Sequence, residues 1–111
     1  VDAVPDGAAQ DERRVVELWE LAARNGHAGA QFSMGAKYNR GDGVPQDPRK
    51  AAQLWELAAA QGHTAAQFNL GVMFYNGDGV EEDVERAEEL WEKAALQGHA
   101  DAAKYLSMLR S

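Results

Sequence analysis

The fold is decided by one stretch of sequence, AQFNLGVMFYNGDGV at residues 66–80. The same pattern stands 36 residues earlier, as AQFSMGAKYNRGDGV at residues 30–44. A shortened copy, AAKYLSML, stands 36 residues later at residues 102–109. A fixed period of this length is typical of proteins built from stacked helical repeats, so we expect a repeat architecture.

The composition favours one folded domain and argues against several classes of partner. The chain has 111 residues, 45% of them hydrophobic, and only three prolines, which predicts a globular fold. Its formal net charge of −7 argues against nucleic acid or an anionic membrane surface as the partner. No stretch approaches the roughly 20 apolar residues of a membrane span, and residues 1–7 lack the pattern of a signal peptide. The absence of cysteine excludes disulfides and cysteine-bound zinc.

The quoted stretch predicts a helix, which we call helix A, and a second helical pattern, helix B, alternates with it. Each helix B is expected to begin at an aspartate that caps its free N–H groups and to end at a glycine in the left-handed conformation. The predicted caps are Asp11, Asp47 and Asp83, and the predicted terminal glycines are Gly26, Gly62 and Gly98. Apolar residues recur between them at i, i+3, i+4 and i+7, which predicts one buried face per helix. The three stripes are Val15, Leu18, Trp19 and Ala22; Ala51, Leu54, Trp55 and Ala58; and Ala87, Leu90, Trp91 and Ala94.

Helix A is apolar on two faces, which predicts that it lies between two other helices. In the middle copy, Thr64 and Gln67 have the spacing of a capping box. Gly35 and Gly71 lower helix propensity, so we expect a neighbouring helix to approach closely there, with paired alanines as its small surface and a tryptophan filling the remaining space. The coarse map places helices at about 12–25, 28–39, 48–61, 64–75, 84–97 and 100–110, without strands.

The pattern at residues 66–80, followed by Asp83, Ala87, Leu90-Trp91, Ala94-Ala95 and QGHA at 97–100, resembles the Sel1-like repeat, a relative of the tetratricopeptide repeat. Two full copies, 27–62 and 63–98, share eighteen of thirty-six positions. The expected organisation is a flexible lead-in or degenerate repeat remnant at 1–10, then a repeat array at 11–111 with partial units at 11–26 and 99–111. The resemblance implies an all-α fold, a right-handed α/α superhelix of antiparallel helix pairs. It also implies a concave surface, lined by helix A, that binds other proteins in signalling, protein quality control or host–pathogen contact.

Some secreted bacterial relatives carry a cysteine pair in each repeat, and this chain has none. That difference favours an intracellular location as our expectation.

Three histidines at one repeat position, His27, His63 and His99, invite comparison with a metal site. Successive copies lie a whole helix pair apart, whereas zinc ligands converge within about 2.1 Å of one ion. We therefore expect loop residues that bond to the local backbone. The acidic loop at 76–85 partly matches a calcium loop, but its first ligand position falls on Phe74. A structural turn, in which glycines adopt positive φ and Asp78 bonds to the turn backbone, is the favoured interpretation. A weak divalent-ion site in this loop stays open as the alternative.

No motif predicts catalysis or a cofactor. The serines lie outside any nucleophile-elbow pattern, and paired carboxylates such as Glu88-Glu89 are neighbours in sequence rather than across a cleft.

One face of helix A varies in chemistry between copies while its neighbours barely change, as a recognition surface would. The candidate protein-binding residues are Ser33, Lys37, Arg40, Asn69, Met73, Asn76 and Tyr105. The predicted function is an adaptor or scaffold module that holds a peptide or partner protein on this face. The alternative is self-association into a homo-oligomer, such as a weak homodimer, through uncapped repeat ends.

Overall fold

The structure, a computed structural model, describes residues 7–111. In that range it contains α-helices and no strand. The helices are α1 (Gly7–Arg24), α2 (Ala28–Arg40), α3 (Pro48–Ala60), α4 (Thr64–Asn76), α5 (Val84–Leu96) and α6 (Ala100–Arg110). The all-α prediction is confirmed, with α2, α4 and α6 as helix A and α1, α3 and α5 as helix B.

Each helix packs mainly on the helices that precede and follow it in sequence, and the two most extensive pairs are α2 with α3 and α4 with α5. The result is an elongated solenoid of 62 × 23 × 21 Å. Such a molecule has no single central core, because each unit buries its apolar face only against its neighbours. The side chains of Met34 and Leu70 fill the centre of successive units and are fully buried.

Helix α1 begins earlier than the sequence predicted. It starts at Gly7, so Asp11 lies inside the helix and its assignment as an N-cap is wrong. Alanine and glutamine at positions 8–10 are good helix formers and allow the extra turn. The remainder of the predicted lead-in, residues 1–6, lies outside the described residues.

The other helix boundaries follow local capping chemistry. Asp47 and Asp83 accept hydrogen bonds from the backbone N–H groups of Lys50 and Arg86, both at 3.1 Å, which confirms these two N-caps. The three predicted terminal glycines adopt positive φ: Gly26 at 91°, Gly62 at 89° and Gly98 at 92°. Each helix B therefore ends where a residue without Cβ lets the chain reverse.

The glycine inside helix A accommodates the tryptophan of the following helix B. A Cβ atom built at Gly71 would lie 2.6 Å from Cδ1 of Trp91, and one built at Gly35 would lie 2.5 Å from Cδ1 of Trp55. The close helix approach is as predicted, but the group that meets the glycine is the indole edge rather than a paired alanine. Each indole N–H also donates to a helix A carbonyl, Trp55 to Phe32 at 3.0 Å and Trp91 to Phe68 at 3.2 Å.

Two buried glutamines were missed by the sequence analysis. Gln67 is only 3% exposed, its Nε2 donates to the carbonyl of Ala59 at 3.3 Å, and its Oε1 accepts from Gln97 at 2.9 Å. Gln31 repeats the arrangement in the preceding unit, donating to Ala23 and accepting from Gln61. The capping box assigned to Gln67 is therefore wrong, since its amide is needed between helices. The feature of the sequence that could have indicated their burial is a glutamine at the same position in both full copies.

The apolar stripe predicted for α1 is exposed rather than buried. Val15, Leu18 and Trp19 keep 39%, 58% and 38% of their surface accessible. In α3 and α5 the corresponding residues pack on the helix A that precedes them, and among residues 7–111 no helix precedes α1. Among residues 10–24 of this helix, Val16 and Ala23, on the side that faces α2, are buried.

Candidate protein-interaction groove

A groove runs between α4 and α6 and has Trp91 of α5 at its base. Its volume is about 730 Å³, within the roughly 300–1,000 Å³ typical of ligand pockets. We call it the α4–α6 groove, and its lining residues are Val72, Tyr75, Asn76, Trp91, Lys104, Tyr105, Met108 and Leu109. Most of them are apolar or aromatic, so the groove offers a hydrophobic surface to a partner.

The aromatic side chains of the groove hold one another in fixed orientations. The ring of Tyr105 meets Trp91 edge-on, with centroids 5.4 Å apart, and lies 5.1 Å from Phe68 in a similar geometry. The ring centroids of Tyr75 and Trp91 are 5.7 Å apart. Because Trp91 is fixed by its hydrogen bond to Phe68 and by the space at Gly71, the tyrosines rest on a rigid base. They nevertheless remain 44% (Tyr75) and 40% (Tyr105) exposed.

The charge in the groove is positive. Of the residues that line it, Lys104 alone is charged, and it makes no salt bridge to any residue between 10 and 111. Two α5 carboxylates that reach α6, Glu88 and Glu92, are bound by Arg110 at 2.6 Å and 3.5 Å. The hydrogen bond that the Arg110 guanidinium donates to Glu88, with smaller charge contributions from both glutamates, raises the pKa of Arg110. One guanidinium therefore pairs with both acids, and the three groups together keep a net charge of −1.

Two of the residues predicted for binding, Asn76 and Tyr105, line the groove. Met73 does not, because it is only 4% exposed, and its assignment to the surface is wrong. Its side chain packs against the turn after α4, where a Cβ built at Gly79 would lie 3.0 Å from Cε of Met73. The accessible side of α4 is centred on Val72, about 100° around the helix from Met73.

The other predicted binding residues lie outside the groove. Lys37 is mostly enclosed: its ammonium is 3.8 Å from the carboxylate of Asp42 and 5.5 Å from the ring centroid of Trp19. Ser33 and Asn69 are half-buried, and Arg40 is exposed at the end of α2. The sequence pattern did not indicate Val72, Tyr75, Trp91, Lys104 and Met108 as groove residues. The signal for Met108 was a large side chain where the other copies have Ala36 and Val72.

The repeated histidines cap helices. Nδ1 of His63 accepts the N–H of Ala66 at 3.2 Å, and Nδ1 of His99 accepts the N–H of Ala102 at 3.0 Å. Their rings stack on Phe32 and Phe68, with centroids 4.7 and 4.6 Å apart. The expectation that these residues bond to the local backbone is confirmed for both, whereas His27 makes no side-chain cap bond.

The glycine turns after helix A have a structural role. Gly77 and Gly79 adopt φ of 67° and 76°, as predicted. Asp78 differs from expectation, because it bonds through its backbone N–H, to the carbonyl of Met73, and no side-chain hydrogen bond of Asp78 is found in the described chain. In the part of the chain that the structure covers, no three histidine or acidic side chains come together as a metal site.

Comparison with known proteins identifies the repeat. The family model described as the Sel1 repeat matches residues 6–27, 28–63 and 64–99. The chain belongs to the Sel1 repeat family. Sel1-repeat proteins are generally scaffolds for protein interactions. No curated protein matches the chain.

Solved structures show the same fold. A Sel1 repeat protein from Oxalobacter formigenes is 37% identical with a TM-score of 0.81, over 83% of this chain and 69% of that one. A protective antigen present in uropathogenic Escherichia coli strains, described as having an SLR fold, is 34% identical with a TM-score of 0.80. That match covers 85% of this chain and 20% of the antigen. Cysteine rich protein B of Helicobacter pylori is 28% identical with a TM-score of 0.81, over 85% of this chain and 71% of that one.

The helices of the described residues were compared with the dimensions of a lipid bilayer. Among residues 7–111, none combines the length and the hydropathy needed to cross a bilayer.

Proposed function

We propose that this Sel1-repeat chain is a non-enzymatic interaction module that binds a peptide segment of a partner protein in the α4–α6 groove. The observation that carries the proposal is a pair of half-exposed tyrosines, Tyr75 and Tyr105, whose rings both contact the buried ring of Trp91. Tyrosine and tryptophan are enriched among the residues that dominate binding energy at interfaces.

The mechanism is surface complementarity on a prepared site. The groove side chains are held by ring contacts and by the Trp91 hydrogen bond, so little side-chain freedom is lost on binding. Pre-organisation of this kind raises affinity because fewer rotamers must be frozen when the partner docks. Asn76 at the edge of the groove supplies an amide that can donate to or accept from a peptide backbone. No bond is made or broken in this account.

Self-association by end-to-end stacking is the less favoured function. It would place the exposed face of α1 from one copy on α6 of another, with Trp19 taking the place that Trp55 and Trp91 take in the array. The α6 residue that corresponds to Gly35 and Gly71 is Ser107. A Cβ at the glycine position overlaps the indole edge, so Ser107 opposes this stacking.

Site-specific photocrosslinking tests the proposal. In one variant, the photoreactive residue benzoylphenylalanine replaces Met108, which is 65% exposed in the groove. In a matched control variant it replaces Leu96, an apolar residue that lies outside the groove and is 83% exposed. Illumination in an extract of the source cells is expected to give a discrete protein adduct from position 108 that position 96 does not give. Equal labelling from both positions would contradict a binding site in the groove.

A further inference from the structure

We infer the chemistry of the partner: a peptide segment with an apolar or aromatic anchor for the α4–α6 groove and an acidic residue beside it for Lys104. This inference rests on the proposed function and goes further, because it names the class of peptide. Three independent features of the described residues support it: the distribution of charge between the two kinds of helix, the local pairing of acids, and the chemistry of α6.

The helices that line the groove side of the solenoid are basic, although the chain is acidic. The chain has 18 acidic and 11 basic residues. Helices α2, α4 and α6 together carry Lys37, Arg40, Lys104 and Arg110 against the single acid Asp101. Lys37 is paired with Asp42, and Arg110 with Glu88 and Glu92, so Arg40 and Lys104 against Asp101 leave a net charge of +1 on these helices. Apart from Asp101, the acidic residues lie in the helix B elements, the connecting loops and residues 1–6. A partner that lies along the helix A surface meets a local charge opposite to that of the whole chain.

Local pairing leaves the Lys104 charge available at the groove. Glu88 and Glu92 of α5 are both bound to Arg110. Asp101, three residues before Lys104 in α6, is the nearest acid along the helix, and it makes no salt bridge with Lys104. Charges further away are screened over a Debye length of about 8 Å at physiological ionic strength. A carboxylate that comes into contact with Lys104 therefore interacts mainly with that ammonium, and the distant acids affect chiefly the rate of encounter.

Helix α6 has lost the features that hold a further helix pair. In α2 and α4, three residues contact the elements that follow. A glutamine accepts a hydrogen bond from the glutamine after the next helix B, and a phenylalanine stacks on the next histidine. A glycine leaves space for the tryptophan of the next helix B. The corresponding residues of α6 are Ala103, Lys104 and Ser107. In particular, a lysine replaces the phenylalanine that would stack in a continuing array. The exposed face of α6 is therefore suited to a charged, water-accessible partner rather than to another repeat.

Two synthetic peptides with one fluorescent label test the charge preference. Both contain a central phenylalanine and leucine; aspartates flank them in one peptide and lysines in the other. Fluorescence anisotropy at physiological salt is expected to show tighter binding of the acidic peptide to the wild-type chain. Lys104→Glu is expected to weaken binding of the acidic peptide by about fivefold, which is the upper range for one accessible ion pair. The same variant is expected to strengthen binding of the basic peptide.

Matched variants separate the groove from the rest of the surface. Arg49→Glu makes the same charge change on the exposed side of α3, and it is expected to leave both affinities unchanged. Met108→Glu places a charge among the groove side chains and is expected to abolish binding of the acidic peptide, whereas Leu96→Glu does not. Circular dichroism establishes that each variant keeps the helicity of the wild type, because all four sites are exposed.

The outcomes distinguish this inference from the proposed function. Stronger binding of the basic peptide by the wild type, weakened by the uncharged change Met108→Ala, would overturn the acidic preference and leave the groove as the binding site. Binding that Met108→Glu does not change would place the peptide elsewhere and would overturn both. Selection of a random peptide library on the wild-type chain provides a second readout: enriched sequences without acidic residues next to an apolar anchor would contradict the inference.

Discussion

Replacement of Gly71 by alanine provides the sharpest test of how the repeats are held together. The new Cβ would lie 2.6 Å from Cδ1 of Trp91 and closer still to its Nε1. Carbon atoms pack best at about 3.5–4.0 Å, so the indole must move by about 1 Å. Trp91 is only 3% exposed, and its N–H bond to the Phe68 carbonyl would be broken by that shift.

The expected magnitude follows from three contributions. Overpacking a core site costs about 1–3 kcal/mol. Loss of a hydrogen bond costs about 1 kcal/mol. The better helix propensity of alanine returns about 1 kcal/mol. We therefore expect Gly71→Ala to lower the free energy of unfolding by about 1–3 kcal/mol, or the Tm by roughly 4–12 °C in a domain of this size.

Gly29 provides the matched control. It also lies inside a helix A, but a Cβ built there has no heavy atom within 4 Å. Gly29→Ala is expected to stabilise the chain by about 0.5–1 kcal/mol, since only helix propensity and unfolded-state entropy change. Urea unfolding followed by circular dichroism and tryptophan fluorescence measures both variants. If Gly71→Ala is as stable as Gly29→Ala, the glycine is not required by the indole, and the packing account is wrong.

Two further substitutions test the core and the caps. Met73→Ala is expected to lower the free energy of unfolding by about 2–4 kcal/mol because Met73 is buried. A change below about 0.5 kcal/mol in urea unfolding would show that Met73 is a surface residue. His99→Ala removes an N-cap acceptor and is expected to lower the free energy of unfolding by about 0.5–2 kcal/mol. His99→Asn keeps a side-chain acceptor and is expected to retain most of that stability. Equal thermal stability of the two His99 variants would show that the ring contact with Phe68, rather than the cap, stabilises α6.

Much of the fold could be predicted because its determinants are local. Asp47 and Asp83 cap helices through backbone groups three residues away, and Gly62 reverses the chain through its own positive φ. The period of 36 residues then required that these hairpins stack. The groove was only partly foreseen. Asn76 and Tyr105 were identified, whereas Tyr75, Lys104 and Met108 were not.

The sequence by itself determined the repeat, the order of helices A and B, and the ends of most helices. The tertiary structure decided which side of each helix meets solvent. In α4, apolar residues occupy most of the circumference, so the pattern does not select between Val72 and Met73, which differ by about 100°. The packing of α3 and the Gly79 turn buries Met73, while the open space beside α6 leaves Val72 at the groove. Burial depends on which neighbouring helices are present, and the same stripe that is buried in α3 is therefore exposed in α1.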